Sequence, residues 1–89
     1  MPSVFLVTRT WDSAWEHSKS LEEQAEWRAH ADFMNGLARD GFVALGGPIA
    51  GTSDTLLVVH ARDEAEIQER LSRDPWTRMR LLRAEPSAG

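Results

Sequence analysis

The 89-residue chain contains no cysteine, which excludes a disulfide framework and any thiolate metal site. It has no apolar run near the length of a membrane span, no internal repeat and no low-complexity segment. The opening stretch from Met1 to Val7 carries no basic residue ahead of its apolar run and no small-residue cleavage site. It is therefore read as a first strand rather than a signal peptide, and the protein is expected to be cytoplasmic. Glycine-rich phosphate loops, a nucleophile elbow, a dinucleotide fingerprint and zinc-ligand spacing are all missing, so no cofactor and no metal are expected. A basic excess is missing too. Ten Lys and Arg face fourteen Asp and Glu, the formal net charge is −4, and the two signs are interspersed. That balance argues against nucleic acid as a partner, and the lack of a span argues against a membrane.

What remains is an ordinary globular composition, 42% hydrophobic and 27% charged, expected to form one domain over 1–89 with a frayed tail at 85–89. A core of this size is thin, and without disulfides or metal the natural support is a second copy. Ser3 to Arg9 are apolar and β-branched and predict a strand. Trp11 to Lys19 lose periodicity and read as a loop. Ser20 followed by Glu23 fits a capping box, predicting a long helix from there to about Arg39. Its apolar stripe is Ala25, Ala29, Phe33 and Leu37, flanked by Trp27, His30 and Met34. Asp40-Gly41 closes it. Phe42 to Leu45 predict a second strand leaving at Gly46-Gly47-Pro48, and Thr55 to Ala61 a third, after a turn at Thr52-Ser53-Asp54. A second helix, capped at Asp63, should stop before Asp74-Pro75. Met79 to Ala84 predict the last strand. The order β-α-β-β-α-β is the ferredoxin-like pattern of an α+β domain, an antiparallel sheet with both helices on one face.

Two strands are apolar on both sides. Leu57, Val59 and Ala61 oppose Leu56 and Val58 on the third, and Val4 and Leu6 oppose Phe5 and Val7 on the first. A half-solvated sheet alternates apolar with polar. The helices cover one face only, so the other is expected to be covered by a second copy in a two-fold dimer.

Three histidines differ in placement. His17 lies in the early loop and His60 ends the third strand, both reading as solvent or edge groups. His30 sits beside the apolar stripe. It is either a core-edge histidine bonded to a neighbour or a general acid or base. Asp74 is either a turn former before Pro75 or a partner for a catalytic group. Gly46-Gly47-Pro48 is either a strand exit or a place where backbone approaches a ligand closely. Trp11, Trp15 and Trp76 are packing residues or the walls of a pocket. Glu22, Glu23 and Glu26 read as a solvated helix face. Arg70, Arg73, Arg78, Arg80 and Arg83 form a basic cluster that is either surface or an attractor for an anionic substrate.

Taken together, Trp27-Arg28-Ala29-His30-Ala31-Asp32-Phe33-Met34, Gly41 to Pro48, and Asp74-Pro75-Trp76 resemble the YCII-related (YciI-like) family. Phe5 to Arg9 and Ser20 to Gln24 add to the likeness, which runs over nearly the whole chain. The chain departs from that pattern at Trp27, where many relatives carry arginine, and in a short C-terminal strand. The resemblance implies a dimeric α+β barrel, in which two ferredoxin-like sheets pack face to face. It implies a pocket in each subunit and a His-Asp acid-base pair, carried here by His30 and Asp74. Gly47, Pro48, Trp15, Trp76 and Met34 are expected to line that pocket. The expected function is acid-base chemistry, an elimination or isomerisation, on a small aromatic or anionic molecule. A non-catalytic metabolite-binding dimer and a cofactor-free monooxygenase are the alternatives.

Overall fold

The computed structural model describes residues 3–88, with backbone alone at 86–88. Strand β1 (Ser3–Trp11) is followed by a 3-10 turn (Leu21–Glu23), helix α1 (Trp27–Arg39), strands β2 (Val43–Pro48) and β3 (Thr55–Ala61), helix α2 (Glu64–Leu71), a short helix α3 (Pro75–Arg78) and strand β4 (Leu82–Ala88). The strands form one antiparallel sheet in the order β2-β3-β1-β4. This is the expected ferredoxin-like α+β domain. Helices sit on one side because the inward residues of the strands demand it. Phe5, Val7, Leu57, Val59 and Ala61 meet Leu37, Phe42, Ile67 and Leu71 in one buried cluster. Each fully buried aliphatic side chain in it contributes roughly 2 kcal/mol. Among the described residues no helix is long and apolar enough to cross a membrane.

Four boundaries differ from expectation. The helix expected from Ser20 begins only at Trp27. Ser20 N–H does donate to Glu23 Oε1 at 2.8 Å, but only the 3-10 turn follows. Gln24 then turns extended, and its buried side chain bonds back to the carbonyls of Glu16 and Lys19. The Ala25 carbonyl, which a continuous helix would use internally, instead accepts from Trp76 Nε1 at 2.6 Å. Glu26 takes the left-handed conformation at φ 60° and starts α1 afresh. Ala25 of the expected stripe is thus exposed and outside the helix.

Strand β2 runs on through Gly46-Gly47-Pro48, with a register irregularity between Val43 and Leu45. After α2, Asp74 caps α3 by accepting from Trp76 N–H at 3.0 Å, with Pro75 at the first helical position. The last strand therefore starts three residues late, beyond Arg80 at φ 59°. Glu85 to Ala88, expected as a loose tail, pair with β1 as far as Phe5; Gly89 lies outside the described residues.

Candidate active site

Strand alternation carries Phe5 and Val7 into the core, and the next inward position is Arg9. An arginine there must find an anion. It is 2% exposed and donates from its Nη1 to Asp74 Oδ2 at 2.7 Å and from Nη2 to Thr77 Oγ1 at 2.8 Å. Asp74 is wholly buried. Its carboxylate also accepts the backbone N–H of Trp76 and meets His30 Nδ1 through both oxygens, at 3.0 and 2.8 Å. Burial by itself pushes the Asp74 carboxyl upward. The hydrogen bonds from His30 and Arg9, with the charge of Arg9, outweigh it and hold the group below the ordinary carboxylate range.

An ionised Asp74 fixes the imidazole. Nδ1 carries the proton and donates it, which leaves the Nε2 lone pair with no protein partner among the described residues. The ring lies flat on Trp76, 3.9 Å between centroids and 6° between planes. Trp76 is itself pinned by its hydrogen bond to Ala25. His30 is thus held on its edge by Asp74 and on its face by Trp76, with its side chain 12% exposed.

That exposure opens into a cleft of about 490 Å³ between the sheet and α1. Trp27, His30, Ala31 and Met34 recur at three- and four-residue spacing along α1 and form its roof. Arg9, Gly46, Thr55 and Leu57 form its floor. Trp11, Trp15 and Trp76 form one wall, with Trp11 and Trp15 stacked at 5.2 Å and Trp15 edge-on to Trp76 at 5.5 Å. A Cβ at Gly46 would come within 2.9 Å of Leu57 Cδ2, so the bare backbone there lets the floor close up.

The structure brings together every residue expected around the site. His30 touches Asp74, and Gly47, Pro48, Trp15, Trp76 and Met34 all line the cleft. The basic cluster does not join them. Arg70 pairs with Asp40 and Arg73 with Glu69, and none of the five arginines lines the cleft. His17 is exposed with its ring edge-on to Trp11, and His60 is exposed at the end of β3. Sequence reasoning passed over Arg9, which holds Asp74, and Gln24, which folds the loop bearing Trp15. Among the described residues no group of three His, Asp or Glu side chains is placed to hold a metal ion.

No protein-family model matches the chain, and no curated protein matches it. A solved structure does resemble it, a 5-chloro-2-hydroxyhydroquinone dehydrochlorinase from Burkholderia phenoliruptrix in complex with 2,5-dihydroxybenzoquinone. The two are 22% identical with a TM-score of 0.69, over 97% of this chain and 92% of that one. At that identity the likeness is one of fold.

Proposed function

We propose that the protein is a YCII-like enzyme, active as a homodimer, that uses His30 and Asp74 as an acid-base pair on a small hydroxylated aromatic molecule. The observation that carries this is the state of His30. Its Nδ1 is committed to a buried anion, its face is clamped on Trp76, and its Nε2 is left to the cleft. A histidine serving only the core would have both nitrogens occupied or solvated at random.

In the proposed elimination, Nε2 accepts the proton of a substrate hydroxyl. The freed electron pair moves into the ring, and the ring carbon bearing the leaving group takes up a proton from the imidazolium. Loss of a second hydroxyl proton to Nε2 then expels the leaving group as an anion with its bonding pair and leaves a quinone. The net loss is HX, with the halide or other leaving group as electron sink, so no outside oxidant is needed. In an isomerisation the same proton returns to a ring carbon. Asp74 stabilises the imidazolium without taking its proton, because Arg9 keeps the carboxylate ionised. The related dehydrochlorinase supports the elimination as the first reaction to test.

The test is chloride release from 5-chloro-2-hydroxyhydroquinone, together with deuterium uptake from D2O by unhalogenated hydroquinones. The expected result is acceleration by the wild type, with kcat reduced about 100-fold or more in His30→Gln. Equal rates in the two proteins would overturn the reading. Ligand binding with neither release nor exchange would overturn it in favour of a binding module.

A further inference from the structure

The cleft has room for more than the single ring of a hydroquinone. A cavity of about 150 Å³ suffices for benzene, whereas this one measures about 490 Å³. All four tryptophans of the chain border it. Its roof runs along α1 from Trp27 to Asn35, a span of about 12 Å at 1.5 Å per residue. The tryptophan wall stands at the start of that span, against α3 and the end of β1. Asn35, Ser53 and Thr55 lie toward its far end, by β2 and β3.

The charge of the cleft is equally restrictive. No Asp, Glu or Lys is among its lining residues. Arg9 is the only arginine among them, and its charge is matched by Asp74 at 2.7 Å. A cation would find no counter-ion there, and neither would a dianion. His30 Nε2 is an acceptor in the middle of the roof, suited to one hydroxyl. Flat indole faces favour a planar ligand that can stack or meet them edge-on.

We infer that the ligand is an uncharged phenol of two or three fused aromatic rings, its hydroxyl on His30 Nε2 and its second ring against the tryptophan wall at Trp11 and Trp15. This rests on the proposed role of His30 for the placement of the hydroxyl, but not for the ring count, which follows from volume and lining.

Isothermal titration calorimetry with phenol, 2-naphthol and 2-methoxynaphthalene separates the two parts. Wild-type protein should bind 2-naphthol at least tenfold more tightly than phenol, and 2-methoxynaphthalene about tenfold more weakly than 2-naphthol. Trp11 is 39% exposed, so Trp11→Ala should fold. It should lower the 2-naphthol affinity about tenfold and leave phenol nearly unchanged. His30→Phe keeps a flat ring over Trp76 and removes the acceptor, so the two naphthalenes should then bind alike. Phenol binding as tightly as 2-naphthol, no binding of either naphthalene, or equal losses for both phenols in Trp11→Ala would overturn the fused-ring inference and leave the acid-base reading standing. Unchanged preference for 2-naphthol over its methyl ether in His30→Phe would instead remove the hydroxyl from His30, and with it the acid-base reading.

Discussion

Asp74 accepts from Arg9, His30 and the Trp76 backbone while shielded from water. Breaking such a buried pair from one side costs about 3–5 kcal/mol, because the surviving charge stays buried without its partner. Asp74→Asn and Arg9→Met should each destabilise by that order in urea unfolding. The double variant should lose clearly less than the sum, since removing both partners leaves no orphaned charge. The pH dependence has a definite sign. A carboxylate whose pKa is lowered by folding stabilises the native state above its unfolded value near 4, and that contribution fades as pH falls through the folded value. The stability gap between wild type and Asp74→Asn should hold steady near pH 5 and shrink below about pH 4. His30 and Asp74 were legible in the sequence as a pair through the family motif, but what holds Asp74 in place was not. The link is Arg9, whose inward position followed from the alternation of Phe5 and Val7. A charged residue on a buried strand face is a signal that an anion waits across the core.

At the scale of elements, the start of α1 was the feature least visible beforehand. Ser20 and Glu23 do make the capping contact, so the local signal was sound. Tertiary competition ended that turn. Gln24 closes the preceding loop through four hydrogen bonds, which also hold Trp15 in place, and Trp76 takes the Ala25 carbonyl. Trp76 is 51 residues from Ala25 in sequence, so no local window of residues could report that bond. Two substitutions check this account by thermal unfolding. Glu26 sits at φ 60°, a conformation that costs a non-glycine residue about 1–2 kcal/mol. Glu26→Gly should therefore raise Tm by a few degrees despite the added chain entropy. Gln24→Ala leaves the carbonyls of Glu16 and Lys19 without their buried donor and should cost about 1–3 kcal/mol. It should also loosen Trp15, lowering ligand affinity in the cleft more than Glu26→Gly does.

The whole molecule has one covered sheet face and one open face. Val7, Leu57 and Val59 are buried beneath the helices, whereas Val4 is 44% exposed and Leu45 69%. Leu45, Ile49, Leu56 and Val58 border a shallow apolar hollow on the uncovered side. The alternation pattern had announced this, because β1 and β3 carry apolar residues on both sides and only one side has helices to meet. In a domain of this size, covering the second face adds apolar burial that one core cannot supply alone. Packing two such sheets together would put the helices and both clefts on the outside, each cleft complete within its own chain. Association and ligand binding should therefore be separable. Leu45→Lys and Leu56→Lys place charges on the open face and away from His30. Sedimentation equilibrium should find a wild-type dimer at micromolar concentration and a monomer in the double variant, with lower Tm and 2-naphthol affinity within about threefold of wild type. A wild-type monomer would sink the dimer while leaving the cleft as described. Loss of ligand binding in a folded monomeric variant would mean that the second copy completes the site.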